Sequence, residues 1–352
     1  MALETNLRKT KKLVDAEILK TIPRKLDAKK LEEICGKPRY SFDLKAAEQS
    51  IHEPIWSLLE RGGKRWRPAL LLLIAEAFGT NPKKLMELSA IPEIVHNGTL
   101  MVDDVEDSSD LRRGKPAIHV IFGEDIAINA GNAMYFLPLK ILQNNRHLLS
   151  DKTLLSAYEI YMQEMINLSY GQGFDILWHR SKLADISEND YLQMCAFKTG
   201  TLARMAAKLG ALFGGASNAQ MELAGEFAES IGIAFQIQDD ILNLIGTQAY
   251  GKEIGGDISE GKRTLMVLRA LGKLDPDKGK RLLQILNSHT KDSFYIREAI
   301  TLITDTDAID YSKEKARELV KSGWAKFSPS LKDSGAKKQL KEFADYLIER
   351  NV

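Results

Sequence analysis

Asp103, Asp104 and Asp107 stand at offsets i, i+1 and i+4 in MVDDVEDSSDLRRGKP (Met101–Pro116), and Asp239, Asp240 and Asn243 repeat those offsets in FQIQDDILN (Phe235–Asn243). On a helix the first and third residues of each set share a face and the second flanks it. An acidic run alone usually marks a solvated surface. Two runs with matching offsets, each inside an apolar helical segment, point instead to a ligand. Carboxylates about 4 Å apart repel by roughly 4 kcal/mol at an effective dielectric near 20, so a crowded, partly buried set needs protons or a counter-charge. Oxygen donors without His or Cys companions favour a hard cation, and Mg²⁺ commonly takes one or two carboxylates together with phosphates. The two runs therefore predict Mg²⁺ ions around one diphosphate, stabilising charge on it as it departs.

Basic residues complete this reading. RGGKRWRP (Arg61–Pro68) sets Lys64, Arg65 and Arg67 directly after two glycines. Glycine lets backbone approach a ligand closely, and the bases can clamp an anion. The GxxxxGK[ST] phosphate loop is absent, which removes the best signal for nucleotide hydrolysis. Arg112 and Arg113 follow the first acidic run, and further bases lie in KTG (Lys198–Gly200) and in GKEIGGDISEGKR (Gly251–Arg263). His96 precedes Asp103 by about two helical turns and so shares roughly its face, as a phosphate donor or as a packed side chain. Gln172 and Asp175 form another polar insertion, in YGQGFD.

The bulk composition suits this chemistry. The chain has 352 residues, 44% hydrophobic, with 49 basic and 48 acidic side chains and a net charge of +1. That balance argues against nucleic acid as the main partner. The longest apolar run, Ala69–Ala75, is too short to span a bilayer. MALETNLRKTKK opens polar with no apolar stretch behind it, as a secretory leader would need. Cys35 and Cys195 form neither a metal-ligand spacing nor a disulfide framework. The expectation is a reduced, cytoplasmic protein.

Helices must position these groups. Leu70, Leu73, Ile74 and Ala77 mark one apolar face, and Ile231, Phe235, Ile237, Ile241 and Leu244 populate another segment. Only Ala117–Phe122 could pass as a strand, and it is isolated. Residues 1–39 are lysine-rich, with Leu13, Val14, Ile18 and Leu19 at helical spacing, and are expected to form an amphipathic helical extension; Asp15, Glu17 and Asp27 interrupt its basic face. The remainder, 40–352, is expected to be all-α, a single-domain helical bundle around one core.

Taken in order, GGKRWRP, HNGTLMVDDVEDSSDLRRGKP, YGQGFD, KTG, FQIQDDILN and GKEIGGDISEGKRT make the chain resemble the trans-isoprenyl diphosphate synthases, the polyprenyl synthetase family, over roughly Tyr40 to Tyr346. The resemblance implies a helical bundle around a central prenyl-binding cavity and a homodimer. It also implies Mg²⁺-dependent condensation of isopentenyl diphosphate with an allylic diphosphate (dimethylallyl, geranyl or farnesyl). Carried over residue by residue, Asp103, Asp104 and Asp107 bind metal on one side of the allylic diphosphate, and Asp239, Asp240 and Asn243 serve the other. Arg112, Lys198, Lys252 and Lys262 contact the allylic diphosphate. Lys64, Arg67, His96 and Arg113 hold isopentenyl diphosphate. Oxygens of Lys198, Thr199 and Gln236 face the carbocation.

By the same resemblance, the small residues Gly98 and Thr99 before Asp103 favour a product longer than farnesyl, and the chain looks most like a geranylgeranyl diphosphate synthase. A bulky residue at Gly98 is then expected to shorten the product. Tyr135 and Phe136 are candidates for the tunnel floor or for plain core. Ser169 stands where such relatives carry a histidine, and Asn243 where farnesyl synthases often carry an aspartate. The alternatives are a farnesyl or longer-chain synthase, a non-catalytic partner subunit and a class I terpene cyclase. The presence of both acidic runs argues against the partner subunit, and GGKRWRP with LRRGKP argues against the cyclase.

Overall fold

The computed structural model describes residues 2–180, 186–246 and 254–348. They are mostly helix, and the one ladder among them pairs β1 (Leu111–Arg112) with β2 (Lys115–Pro116), antiparallel. The apolar run 117–122 is helical from Ile118 to Phe122 rather than extended. The chain divides into two compact units. The first comprises Met1–Ile160, Ala206–Ser217 and Ser334–Ala336, and the second Tyr161–Met205, Asn218–Asp333 and Lys337–Val352.

The helices that matter below are α1 (Ala2–Thr21), α2 (Trp66–Ala77), α3 (Ile91–Glu106), α4 (Glu124–Asn144), α5 (Asp151–Arg180), α6 (Glu188–Cys195), α7 (Thr201–Phe213), α8 (Asn218–Ile245), α9 (Gly256–Glu260) and α10 (Ala308–Phe327). Burial takes α2 on nearly every side: Leu70, Leu71, Leu72, Ile74 and Ala75 are all inside. Apart from Arg67 and the exposed Glu76 its sequence is apolar, as a central helix requires. A Cβ on Gly210 of α7 would stand 2.5 Å from the Leu71 carbonyl oxygen, so the glycine lets α7 lie against α2. α1 buries Val14 and Ile18 but exposes Leu13 and Leu19, and the buried Arg65 reaches its Asp15 at 2.8 Å.

In the first unit α3 and α4 cross at two glycines. A Cβ on Gly98 would lie 2.8 Å from both the Gly131 carbonyl oxygen and the Met134 Cβ, and one on Gly131 2.8 Å from Val102 Cγ2. The missing side chain of Gly98, expected from the sequence to bear on product length, makes room for helix α4. Gly98→Ala should therefore cost about 1–3 kcal/mol by overpacking, and a phenylalanine should part the helices before it narrows any tunnel. A denaturation midpoint equal to that of the parent protein would contradict this placement. In the second unit α8 packs on α10 through Phe227 against Trp324 and Phe327, with ring centroids 5.3 Å apart in both pairs.

Candidate active site

The glycine turn and the small hairpin of the first unit are latched to each other. Gly62, Gly63 and Arg65 all take positive φ (88°, 147° and 51°), and so do Arg113 and Gly114 (52° and 72°) in the two-residue loop between β1 and β2. Such a loop requires left-handed backbone at both positions. Arg61 donates to the carbonyls of Arg112 at 3.1 Å and Pro116 at 2.8 Å, and Arg113 donates to that of Gly62. A side chain at position 63 would strain the backbone at φ 147° and would press on Arg65 Nη1 at 2.8 Å and Arg113 Nη2 at 3.3 Å.

This latch concentrates positive charge. Arg67 is buried, stacks on Trp66 at 4.4 Å, and leaves its Nε without a hydrogen-bond partner. Burial lowers the Arg67 guanidinium to about 10, against the pull of Glu93. Arg113 likewise falls to about 10, through burial and then the neighbouring Arg65. Burial, followed by the charges of Arg67, Arg113, Arg65 and Arg112, holds the His96 imidazole well below its ordinary value. Arg67, Arg113 and His96, which the family resemblance groups together, are close enough for their charges to act on the imidazole, while Lys64 stands exposed at the turn. An unsatisfied buried N–H in so cationic a place calls for an anion.

On α3, Asp104 is fully buried while Asp103 and Asp107 are half-buried. Arg112 donates to Asp104 Oδ1 through Nε at 2.7 Å and also through Nη2, and its Nη2 lies 3.5 Å from Asp103. Burial raises the Asp104 carboxyl, although Arg112 opposes it. Burial works against the Arg112 charge in turn, and Asp104 more than offsets it, so its pKa rises. Asp104 Oδ2 is buried without a hydrogen-bond partner. Among the described residues no three acidic, histidine or cysteine side chains converge as a ready-made cage. The donors are nonetheless carboxylate oxygens, one of them orphaned, which fits a hard cation that fills its shell with phosphate oxygens.

The second unit builds a continuous polar network. Lys198 Nζ lies 2.5 Å from Asp175 Oδ2. Burial would raise the Asp175 carboxyl, but Lys198 and then Lys262 more than offset it and hold it low. Thr199 donates to Gln236 Oε1, Gln236 Nε2 donates to Asp240 Oδ1, and Tyr191 donates to Asp240 Oδ2, each at 2.7 Å. Burial lifts the Asp240 carboxyl to about 6 despite both donors. Asp175, Tyr191, Lys198, Gln236, Asp240 and Lys262 all line one cleft. Asp239 flanks it on α8, half-buried, and Lys262 also pairs with Glu260 at 2.5 Å. Asn243 turns elsewhere: its Oδ1 accepts from the Asp257 backbone N–H at 3.1 Å, capping α9. Lys252 lies outside the described residues.

The chain as a whole matches known proteins in sequence and in fold. The sequence model of the polyprenyl synthetases matches residues 48–303. The chain belongs to the polyprenyl synthetase family. Among the relatives of this polyprenyl synthetase, the geranylgeranyl diphosphate synthase of Methanosarcina mazei is 36% identical over 294 residues, covering 83% of this chain and 87% of that protein. The geranylfarnesyl diphosphate synthase of Aeropyrum pernix is 34% identical over 299 residues, covering 83% and 92%. In fold, the crystal structure of geranylgeranyl pyrophosphate synthetase from Pyrococcus horikoshii superposes with a TM-score of 0.85 at 28% identity, over 99% of this chain and 98% of that one. This polyprenyl synthetase is an all-α prenyltransferase.

Two chain-length candidates lie on the surface of the chain. Phe136 is 69% exposed on α4, and Ser169 is exposed on α5, where its hydroxyl donates to the Met165 carbonyl at 3.0 Å. Thr99 spends its hydroxyl on the His96 carbonyl at 2.8 Å. Tyr135 remains close to the site: burial, then Glu106 and Asp103, pushes its phenol upward. Sequence reasoning missed Arg61 and Tyr191, and it grouped Arg65 with the anion-clamping bases although Arg65 pairs with Glu93 and Asp15. Tyr191 could have been found from its place two turns before Lys198, at the same helical phase.

Proposed function

We propose that the chain is a Mg²⁺-dependent geranylgeranyl diphosphate synthase, joining isopentenyl diphosphate to dimethylallyl, geranyl and farnesyl diphosphates. The observation that carries this reading is the Arg67–His96–Arg113 cluster, a cationic site distinct from the two acid-bearing segments. A terpene cyclase, taking one diphosphate, has no use for it. In this reading Asp103, Asp104, Asp107, Asp239 and Asp240 hold the metal, and Asn243 supports them by fixing α9. Mg²⁺, when bound, neutralises charge on the allylic diphosphate.

The residues divide the remaining work. Lys198 and Lys262, with Arg112 and Lys252, orient the allylic diphosphate. Lys64, Arg67, His96 and Arg113 hold isopentenyl diphosphate, with His96 neutral at pH 7 so that its ring N–H donates. The allylic C–O bond breaks, and dipoles from Thr199 and Gln236 stabilise the cation. The isopentenyl double bond supplies the electron pair of the new C–C bond, and its proton leaves to the released diphosphate. Arg67→Ala should raise KM for isopentenyl diphosphate at least about tenfold, the scale of one lost charge-assisted hydrogen bond, and leave the allylic KM within about twofold. Initial rates with each substrate varied in turn decide this, and a matching rise in the allylic KM would overturn the division of sites.

The protein acts, in this reading, as a homodimer. α5 exposes Met162, Ile166, Tyr170 and Leu177 at helical spacing, an apolar stripe suited to a second copy. Light scattering at micromolar concentration should give twice the chain mass, and a monomer mass would refute the pairing.

A further inference from the structure

Ala196–Gly200 is a single π-helical turn between α6 and α7, and it carries Lys198 and Thr199. Such turns are rare and concentrate at functional sites. Two helices close on this one with bare backbone. A Cβ on Gly171 of α5 would stand 2.3 Å from the Lys198 nitrogen and 2.6 Å from the Phe197 carbonyl carbon. From α8, a Cβ on Gly232 would stand 2.5 Å from Gly200 Cα and 3.3 Å from the Thr199 carbonyl oxygen. Gly173, the other glycine of the GQG motif, has only open space there. The two glycines of that motif therefore differ in role.

The same two helices are tied together one turn further on. The buried Arg204 of α7 donates through Nε to Glu164 Oε1 at 2.8 Å and through Nη2 to Glu164 Oε2 at 2.6 Å, and its Nη1 reaches Glu229. Thr201, fully buried, donates to Glu164 Oε2 at 2.5 Å. Glu164 lies on α5 two turns before Gly171, and Glu229 lies on α8 just before Gly232. A planar, doubly held guanidinium fixes both separation and angle, which an ammonium does less well.

We propose that Gly171, Gly232 and Arg204 are positioning residues that hold the π turn, and with it Lys198 and Thr199, in register for the allylic substrate. The proposal rests on the assignment of Lys198 to the allylic diphosphate. It is tested on the full chain with G171A, G232A, R204K and R204M, with K198A as reference. G279A serves as control, because Gly279 sits inside the helix Pro276–Asn287 with its nearest neighbour 4.0 Å from a Cβ. Steady-state constants for both substrates and melting temperatures are measured.

The expected result is that G171A and G232A raise the allylic KM and lower kcat, together about a hundredfold in kcat/KM, the scale of an ångström-sized misplacement. KM for isopentenyl diphosphate stays within about twofold, R204K retains more activity than R204M, and G279A behaves as the parent. Parent-like kinetics in G171A and G232A alongside an impaired K198A would overturn the inference alone. So would equal rises in both KM values, or a lowered melting temperature with unchanged constants, since those mark a merely structural role. If either glycine variant fails to fold, the other and R204K decide by the same criteria. A K198A enzyme with parent-like constants removes the assignment, and the inference with it.

Discussion

Asp103→Ala and Asp239→Ala should each lower kcat/KM about a thousandfold, and the double variant should fall little further. The two residues lie in different units of the chain, and the proposed reaction draws on both. A metal contribution of several kcal/mol corresponds to about three powers of ten in rate. Groups that act as one unit are strongly non-additive, because removing either partner already forfeits the joint effect. Independent sites would instead multiply, giving about a millionfold in the double variant. Single-turnover rates with farnesyl diphosphate separate the outcomes. Multiplied losses, or an Asp239 variant with parent-like rates, would break the link between the clusters.

Arg65→Met should destabilise the protein by about 3–5 kcal/mol, the scale seen when one partner of a buried ion pair is removed. Arg65 is buried and bonds Glu93 at 2.9 Å, itself buried, and Asp15 at 2.8 Å. Burial opposes the Arg65 charge, yet Glu93 and Asp15 together hold its pKa above the usual value. Asn97 also donates to Glu93 at 3.2 Å, so the substitution strands a carboxylate that α3 cannot expose. Adding Glu93→Gln removes the stranded charge and should restore much of the loss. Urea denaturation of the single and double variants checks both statements. A double variant weaker than Arg65→Met would show that the stranded charge is not the cause.

How much of this was legible beforehand follows from periodicity and its limits. The acidic offsets were readable because residues one turn apart must share a helix face, whatever else the fold does. The helical character of the chain was equally plain from its apolar spacing, and Arg67, His96 and Arg113 do converge. What Gly98 makes room for was not legible, because a missing side chain can accommodate a ligand or another helix, and only the structure shows α4 against it. The exposure of Phe136 was hidden for a related reason: an apolar residue states that it avoids water, not what covers it. Asn243 keeps the acidic offset but points its oxygen at the Asp257 N–H, a partner fourteen positions away that no local pattern reveals. The Glu164–Arg204–Glu229 network was invisible for the same reason, since its members come from three separate helices.

The central claim is that this polyprenyl synthetase makes geranylgeranyl diphosphate. The most direct test is the mass of the product formed from isopentenyl diphosphate and farnesyl diphosphate, with Mg²⁺ and again with the metal chelated. The account predicts a product one isoprene unit longer than farnesyl diphosphate, formed only with the metal. Condensation that persists under chelation, or a dominant product of any other length, would contradict it.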